Sequence, residues 1–346
     1  MSLNEQARES QADLSVVILS AGKDLEMIQR CVLSVFQACD RLTSAYEVIF
    51  LDNASECGIG ITMATQFPAL TVLRFPERVG FCTGNNAGFL LSRGRLIVQL
   101  NDDTEVAKTA FVGITHFFRE HPDVGAVGPR LETPEGDLQV GYYARRLPGL
   151  TDIAFHLFGA NGLWRNNPVS RRYLLKDDED CTRPVEQPAG AALTYRREAL
   201  FQIGLLDEDF TFAYDDVDIC RRLSDAGWEI YYLREARVTH LGAVSLPKSG
   251  PRLSRHTLNG ILCYWRKHGN ALEYAAIRLM MLAALALRLP VESLLNAKAR
   301  AEVASVYSTT FIAVLRSFIR SYGPHRLSVC APIMVSPEVA WEARRG

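Results

Sequence analysis

Short apolar runs alternate with amphipathic stretches over the first 130 residues of the chain. Runs rich in β-branched residues, such as LSVVILS at 14–20, are typical of strands that are buried on both faces. The predicted strands lie at 14–20, 46–52, 70–75, 95–102 and 124–128, and the helices between them at 24–38, up to about 67, at 84–93 and at 107–120. This alternation with short links predicts an α/β fold, with a mostly parallel central sheet flanked by helices.

The rest of the chain departs from that alternation. Residues 131–187 scatter Pro, Gly, Tyr and Arg without a period, which is typical of a substrate lid or mobile loop. Order returns at 189–243 with an apolar run, two short helices and the strand-like EIYYL, and the pattern is helical beyond 256. We therefore predict a polar tail at 1–12, a main domain at 13–255 that contains the 131–187 insertion, and a helical region at 256–346.

Charge is divided unevenly along the chain. Residues 1–243 carry 24 basic and 34 acidic side chains, a net charge of −10, whereas residues 244–346 carry 14 basic and 5 acidic ones, a net charge of +9. A basic tail on an acidic body indicates contact with an anionic surface, and an unevenly charged but solvated surface is the alternative. Basic residues interleave with aromatic ones only once, at 264–268, so no nucleic-acid partner is expected.

The eight cysteines favour a reducing compartment. No two of them have C-x-x-C spacing, and no Cys/His cluster has zinc spacing. The first fifteen residues are polar and lack an apolar signal core. The longest apolar run, Leu279 to Leu287, has nine residues, whereas a spanning helix needs about 20. We expect a cytoplasmic protein that does not cross a membrane by itself.

Polar residues follow two of the predicted strands, at the edge of the sheet where parallel α/β folds bind ligands. Asp52 and Asn53 follow the second strand, where a carboxylate can accept a hydrogen bond from a base or a ribose hydroxyl. Asn101, Asp102 and Asp103 follow the fourth, where adjacent oxygen ligands suit Mg²⁺ or Mn²⁺. Both groups have a structural alternative, because Asp and Asn also end strands and cap helices.

Six carboxylates fall within twelve residues, in DEDFTFAYDDVD at 207–218. Such groups repel one another unless something needs them, and aromatic residues among them are unusual on a solvated face. A carboxylate at the mouth of the following helix can serve as a general base. His240 follows the strand-like RVT, although a single histidine is more often packed or exposed than a ligand.

Several common catalytic loops are absent from the sequence. It contains no G-x-x-x-x-G-K-[ST], no G-x-G-x-x-G after the first strand and no G-x-S-x-G. The glycine-rich segment GFCTGNNAG at 80–88 opens a helix, but it follows the third strand, which makes it a poor dinucleotide fingerprint.

Taken in order, these segments resemble the family 2 glycosyltransferases of the GT-A fold, in particular the bacterial rhamnosyltransferase-like branch. The resemblance covers roughly residues 14–270 and rests on SVVILS, EVIFLDNAS, RVGFCTGNNAG, QLNDDTEV, GAALTYRREAL with GLLDEDFTFAYDDVDICRRLSDAGW, and RVTHLGAVS. It implies a GT-A catalytic domain with a C-terminal helical extension. It also implies inverting, metal-dependent transfer of a rhamnose-type sugar from a nucleotide sugar to a hydroxyl of a glycan or lipid-linked acceptor, in cell-envelope polysaccharide biosynthesis.

The resemblance assigns a metal shell and a base. Asn101 and Asp103 match the outer positions of the family's D-x-D motif, and His240 matches a histidine that joins the metal, Mg²⁺ or Mn²⁺. Asp216 matches the catalytic base, and Asp215 is its acidic neighbour.

The resemblance also gives a set of contacts to the nucleotide sugar. Asp52 matches the carboxylate that meets the base, and Gly190 with Ala191 falls where the family builds the wall between donor and acceptor. The predicted contacts are Ser20, Asp52, Asn53, Gly80, Asn85, Asp102, Gly190 and Ala191.

Two departures from the family pattern weaken parts of this assignment. Ser20-Ala21-Gly22 stands where the family more often has Thr-Tyr-Asn, which weakens the expected nucleotide contacts there. Asn101 replaces the first Asp of D-x-D, and a neutral amide gives a cation less charge, so weaker or substrate-assisted metal binding is expected.

Other readings stay open at this point. A sugar-nucleotide pyrophosphorylase would carry a longer glycine-rich basic loop after the first strand, and a catalytically inactive sugar- or nucleotide-binding module would have no reason to keep Asp103, Asp215, Asp216 and His240 together. The basic helical region predicts peripheral contact with the cytoplasmic face of the inner membrane. A helical cap on the catalytic domain and a homodimer interface are its alternatives.

Overall fold

Ten strands form one mixed sheet in a computed structural model, which describes residues 12–22, 24–141, 143–164, 166–176, 180–210, 212–241, 254–295, 300–317 and 333–334. The strands are β1 (Ala12–Ser20), β2 (Tyr46–Asp52), β3 (Thr71–Arg74), β4 (Gly94–Asn101), β5 (Thr104–Val106), β6 (Val124–Glu132), β7 (Arg183–Pro184), β8 (Ala192–Arg196), β9 (Glu229–His240) and β10 (Ile333–Met334). Most of the predicted polar tail lies outside the described residues.

Helices cover both faces of this sheet. They are α1 (Leu25–Cys39), α2 (Ile59–Gln66), α3 (Phe81–Leu91), α4 (Ala110–Glu120), α5 (Leu150–Leu157), α6 (Ala160–Leu163), α7 (Pro168–Tyr173), α8 (Arg197–Gln202), α9 (Asp215–Asp225), α10 (Arg255–His268), α11 (Ala271–Leu295) and α12 (Arg300–Ser317). The bounds predicted for the N-terminal half differ from these by a few residues at most. The short strand β5 was not predicted, and β9 continues well beyond EIYYL, through the segment that ends in His240.

The strand order is β10-β3-β2-β1-β4-β8-β6-β9-β5, with β7 on β9. The central strands β3, β2, β1 and β4 are parallel, β8 runs antiparallel to both β4 and β6, and β9 is parallel to β6. The predicted α/β class with helices around a mostly parallel centre is confirmed. The sheet is mixed because β5, β7, β8 and β10 all pair antiparallel to their neighbours.

Two apolar clusters lie on opposite faces of the sheet. Val17 of β1 belongs to one cluster, whereas Val16 and Ile18 belong to the other, and all three side chains are buried. Successive side chains of a strand point to opposite faces, so burial on both sides explains why β1 reads as an uninterrupted apolar run. Because β1 is parallel to both β2 and β4, the carboxyl ends of these three strands lie at one edge of the sheet.

The 131–187 insertion contains three short helices, α5, α6 and α7, in place of a wholly irregular lid. Arg145 and Gln187 form an antiparallel bridge that closes its base, with backbone hydrogen bonds in both directions. The insertion follows β6 and ends just after β7, and both of these strands pair with β9. The chain then enters β8.

Helix α11 packs one face on the rest of the protein. Ile277, Met281 and Leu285 are buried in the cluster that also contains residues of the sheet. Leu272, Leu279 and Leu287 lie on the outside and are 83%, 61% and 63% exposed. Among the described residues, no helix has the length and hydropathy needed to span a bilayer.

Candidate active site

The carboxyl ends of three strands meet at one edge of the sheet. In the strand register Ser20 lies opposite Asp52, and Leu19, its neighbour, lies opposite Asn101. The residues that sequence patterns singled out after β1, β2 and β4 are therefore neighbours at that edge, as expected for a parallel sheet.

Asp52 is wholly buried, and protein groups engage both of its carboxylate oxygens. Oδ1 accepts a hydrogen bond from the backbone N–H of Ser55, at 2.8 Å. Oδ2 accepts one from the N–H of Gly60, at 3.1 Å, and forms an ion pair with Nη1 of Arg74, at 2.6 Å. In this structure Asp52 ties the loop after β2 to its neighbours, which is the structural alternative that its position allowed. Its contact with a nucleotide base stays a prediction.

Asn53, Gly80 and Asn85 shape the wall beside β2. The amide of Asn53 exchanges two hydrogen bonds with the backbone of Val79, at 2.8 and 3.0 Å, and so holds the loop that leads into α3. Gly80 is the N-cap of that helix, and Asn85 is buried and donates to the carbonyl of Phe81. These contacts are local to the loop between β3 and α3.

Ser20 and Asp102 meet across the strand ends. The hydroxyl of Ser20 donates to Oδ2 of Asp102 at 2.6 Å, and it accepts a hydrogen bond from the N–H of Gly22 at 3.1 Å. The end of β1 and the turn after β4 thus form one continuous polar surface.

Asp103 and His240 lie next to one another although they are distant in sequence. Oδ1 of Asp103 is 3.5 Å from Nε2 of His240, and both residues are buried. The pairing follows from the β5–β9 ladder, in which Thr104 lies opposite His240. Within the described residues Oδ1 of Asp103 is buried and accepts no hydrogen bond.

Gln139 sets the orientation of the His240 ring. Its Nε2 donates to the backbone carbonyl of His240 at 2.6 Å, which places its Oε1 3.0 Å from Nδ1 of the ring. An amide oxygen only accepts, so Nδ1 donates this hydrogen bond, and Nε2 is the ring nitrogen that faces Asp103. This is the second-sphere arrangement that metal-bound histidines usually have.

A carboxylate oxygen and an imidazole nitrogen that face each other fit two positions of a divalent-cation shell. The described residues contain no group of three His, Cys, Asp or Glu side chains arranged for a metal. The backbone of Asn101 pairs with Ala191 and Thr104, through an N–H donated to Ala191 and a carbonyl that accepts from the Thr104 hydroxyl. Asp103 and His240 could therefore supply two ligands of a metal site and not a complete shell.

Asp216 lies at the start of α9 and faces the residues that precede β8. Its Oδ2 forms an ion pair with Nη2 of Arg145 at 3.1 Å and accepts hydrogen bonds from Nε2 of Gln187 at 2.9 Å and the N–H of Gly190 at 3.3 Å. Its Oδ1 accepts from the N–H of Val217. Asp216 is the partly exposed member of the acidic pair, with 15% of its side chain accessible.

Asp215 is buried beside it. Burial, and then the negative charge of Asp216, raise the pKa of the Asp215 carboxyl well above its usual range. Like charges this close do not both ionise readily, so burial and the charge of Asp216 both favour the protonated form of Asp215. Tyr214, which precedes the pair, has φ 71°, a left-handed conformation that a non-glycine residue adopts only where its surroundings require it.

Gly190 contacts both β4 and Asp216. Its carbonyl accepts a hydrogen bond from Nε2 of Gln99, on β4, at 3.1 Å, and its N–H reaches Asp216. A Cβ at this position would lie 3.2 Å from Nε2 of Gln99 and 3.3 Å from Cβ of Asp216. Gly190 therefore leaves little room for a larger residue between Asp216 and β4, the strand that leads to Asp103.

The other carboxylates of the acidic segment have structural partners. Asp207 pairs with Lys267 at 2.5 Å, Asp209 pairs with Arg266 at 2.7 Å, and the amide of Asn86 donates to Glu208. Asp218 is fully buried and pairs with Arg222, Lys267 and His268. The clustering of six acidic residues therefore reflects docking of α10 as well as chemistry.

Three residues that hold this site carried no sequence signal. Arg145 and Gln187 come from the insertion, and Gln139 comes from the loop after β6. An arginine and two glutamines in an aperiodic segment have no distinctive spacing. Only the antiparallel bridge between positions 145 and 187 brings two of them to Asp216.

Similar proteins cover most of the chain. The model of a family described as "Glycosyltransferase like family 2" matches residues 12–257. N-acetylglucosaminyl-diphospho-decaprenol L-rhamnosyltransferase of Mycobacterium tuberculosis is 29% identical over 243 residues, which cover 65% of this chain and 74% of that protein. The O-antigen biosynthesis protein RfbC of Myxococcus xanthus is 26% identical over 260 residues, which cover 67% of this chain but 20% of that protein.

A solved structure shares the fold. The crystal structure of GalNAc-T7 with UDP, GalNAc and Mn²⁺ aligns with a TM-score of 0.54 at 18% sequence identity. The alignment covers 78% of this chain, which spans 54% of that one. At this identity the likeness concerns the fold alone, and it agrees with the α/β architecture described above.

Proposed function

The chain belongs to the glycosyltransferase-like family 2, and from that premise we propose that it transfers a rhamnose-type sugar from a nucleotide-sugar donor to a hydroxyl of a glycan or lipid-linked acceptor, with inversion. The observation that carries the proposal is one edge of the sheet. The Asp103–His240 pair lies at this edge, and the proposed base Asp216 contacts it through Gly190, which also contacts Gln99 of β4.

Asp103 and His240 are the residues that would hold Mg²⁺ or Mn²⁺. The orphaned Oδ1 of Asp103 and the ring orientation of His240 support this assignment. A divalent cation in such a site stabilises the charge that develops on the leaving diphosphate. The side chain of Asn101, the adjacent strand-end residue, is the third proposed contributor, and Ser20 with Asp102 would form the floor beneath the donor.

Asp216 would act as the general base. Its carboxylate takes the proton of the acceptor hydroxyl while the acceptor oxygen forms a bond to the anomeric carbon. The bond between that carbon and the diphosphate breaks on the opposite face, so one displacement inverts the configuration. Arg145 and Gln187 fix the direction of Oδ2, and the raised pKa of Asp215 reduces the negative charge beside Asp216. A positioned base is worth about 10²–10⁴-fold in rate.

The relatives support the choice of sugar and acceptor. The mycobacterial relative is named as a rhamnosyltransferase of a lipid-linked N-acetylglucosaminyl diphosphate, and the Myxococcus relative is an O-antigen biosynthesis protein. We propose the same broad roles here, in cell-envelope polysaccharide biosynthesis.

A lipid-linked acceptor would require contact with a membrane surface, and α11 offers one. Leu272, Leu279 and Leu287 recur every seven or eight residues, which places them on one helix face, and all three are largely exposed. Leu163, the last residue of α6, and Trp164, which follows it, are also exposed. We propose peripheral binding of this surface to the cytoplasmic leaflet. The alternative occupant of the same surface is a second copy of the chain.

A thermal-shift screen tests the proposed function. The full chain is heated with rhamnose, glucose and mannose donors carrying dTDP, UDP or GDP, each with Mn²⁺, Mg²⁺ or EDTA. A ligand of the native state raises its stability by RT ln(1 + [L]/Kd), and we expect one donor to do so with metal and not with EDTA. That donor is then incubated with a prenyl-linked N-acetylglucosaminyl diphosphate. Binding without transfer would indicate an inactive module, and the absence of donor binding would refute the proposal.

A further inference from the structure

A cavity adjoins Arg145, the ion-pair partner of the proposed base Asp216. It has a volume of about 260 Å³ and lies between helices α5 and α7 of the insertion, Tyr214 and Thr257 of α10. Arg145 lines it, and the same guanidinium forms the ion pair with Asp216. A ligand in this cavity would therefore lie next to the residue that orients the base.

His156 is one of the polar side chains that line this cavity. Its Nε2 is buried and makes no hydrogen bond among the described residues. Arg288, on α11, donates to the backbone carbonyls of His156 and Leu157 and so fixes the end of α5. Buried polar groups are almost always hydrogen-bonded, so this ring nitrogen is available to a polar group that enters the cavity.

The charges around the cavity balance one another. Arg145 is paired with Asp216, and the buried Asp152 is paired with Arg172 at 3.3 Å. Burial, and the nearby charge of Arg288, lower the pKa of His156, so its ring is neutral at neutral pH. A phosphate would need unbalanced positive charge, which this lining does not supply.

The other residues that line the cavity include both aromatic and hydroxyl-bearing side chains. Tyr173 and Tyr214 present aromatic rings with hydroxyls, and Ser170 and Thr257 add further hydroxyls. A prenyl chain would favour an apolar wall without such groups. The volume falls just below the roughly 300–1,000 Å³ of pockets for drug-sized ligands, which suits one small polar ring.

We propose that this cavity is the acceptor subsite, that it takes one uncharged sugar ring, and that Nε2 of His156 forms a hydrogen bond with a hydroxyl of that ring. The inference rests on the proposed function, and it names the acceptor group that lies nearest the base. Arg145 would be a positioning residue, shared between the bound ring and Asp216.

Titration with simple glycosides tests this directly, without donor or metal. Saturation-transfer NMR would measure the Kd of the full chain for the methyl glycosides of glucose, galactose, rhamnose and N-acetylglucosamine. At least one should bind, and His156→Leu should weaken it about tenfold, the scale of one lost hydrogen bond to a buried group. His156→Gln, which keeps a hydrogen-bonding group, should restore most of the affinity.

Two further variants separate this inference from the proposed function. His116→Leu changes a histidine on α4, at the exposed His116–Glu120 pair, and should leave glycoside affinity unaltered. Asp103→Asn alters the proposed metal pair and should also retain glycoside binding. The inference is wrong if no glycoside binds, if His156→Leu binds as well as the unaltered chain, or if binding disappears in Asp103→Asn. Failure of the donor screen with intact glycoside binding would instead refute the transfer reaction.

Discussion

Nε2 of His240 lies 3.5 Å from Oδ1 of Asp103, although the two residues belong to strands that are distant in sequence. The β5–β9 ladder makes this approach obligatory, since Thr104 pairs with His240. Gln139 then holds the ring by two hydrogen bonds, one to its backbone and one to Nδ1. Metal affinity should therefore depend on a residue that does not touch the metal.

Gln139→Leu tests that dependence. Loss of the amide frees the His240 ring to rotate and change tautomer, so the Mn²⁺ concentration that gives half-maximal stabilisation by the donor should rise about 10–100-fold. Thermal-shift titration of Mn²⁺ at fixed donor concentration measures it. Gln66→Leu, which removes an exposed amide paired with Gln29, is the matched control and should have no effect. An unchanged Mn²⁺ requirement in Gln139→Leu would contradict the assignment of His240 to the metal.

Gly190→Ala should impair catalysis without unfolding the protein. The added Cβ would lie 3.2–3.3 Å from Gln99 and Asp216, closer than most such contacts, so the base must shift by a few tenths of an ångström. Small misplacements of a reacting group can cost about 10²-fold in rate. Steady-state kcat is the measurement.

Gly113→Ala is the control for that substitution. A Cβ at Gly113 has no neighbour within 4 Å, and the residue lies inside α4, so alanine should keep the rate and raise stability by up to about 1 kcal/mol. Full activity in Gly190→Ala would show that the wall does not position the base.

Asp218 should stabilise the protein in a pH-dependent manner. Burial alone would raise its pKa, but the hydrogen bond from His268 and the charges of Arg222 and Lys267 outweigh burial and lower the pKa to about 2. The stabilisation is therefore fully present above the unfolded pKa of about 3.9 and is lost as the pH falls toward 2.

Asp218→Asn should accordingly lower the free energy of unfolding by about 3 kcal/mol at pH 7, with a smaller difference at pH 3. Urea denaturation at both pH values measures it. Asp225→Asn on the same helix breaks the exposed pair with Arg221 and should cost less than about 1 kcal/mol. Equal effects of the two variants would mean that the buried ion-pair cluster does not hold α10.

Sequence patterns predicted the N-terminal half of the sheet well because β1, β2 and β4 are buried on both faces, which leaves long apolar runs. The β5–β9 ladder was not predicted, since β5 has only three residues and no period. The acidic segment was interpreted mainly as a functional feature. In the structure, Asp207, Asp209 and Asp218 pair with α10, whose basic residues lie some fifty positions further along and could not be matched by spacing.

For the same reason, only part of the candidate site could be predicted from the sequence. The ends of buried strands can be recognised in the sequence, so Asp52, Asp102 and Asp103 could be selected by position alone. Side chains that orient them from an aperiodic insertion could not. Arg145 is the clearest example, because it reaches Asp216 only through the tertiary bridge between positions 145 and 187.

Membrane binding through α11 is tested by point substitutions. Deleting the helix is unsuitable, because Ile277, Met281 and Leu285 belong to the core. Replacing Leu279 and Leu287 together by Gln should reduce co-sedimentation with vesicles containing anionic lipid by about tenfold, given the apolar area removed from the bilayer. Leu25→Gln with Leu33→Gln, two exposed leucines of α1, should pellet like the unaltered chain. If both double variants co-sediment equally with vesicles, the α11 surface does not bind the membrane. If the variant of Leu279 and Leu287 instead loses a dimer, the surface serves self-association.

The most direct test of the catalytic account is the turnover of Asp216→Asn at saturating donor and acceptor. An amide cannot take the acceptor proton, so kcat should fall about 10²–10⁴-fold while the Kd for the donor, measured by thermal shift, stays within about twofold. Asp209→Asn, in the same acidic segment but paired with Arg266, should keep its turnover. Turnover equal to that of the unaltered enzyme, or a loss explained wholly by weaker donor binding, would contradict the role of Asp216 as base.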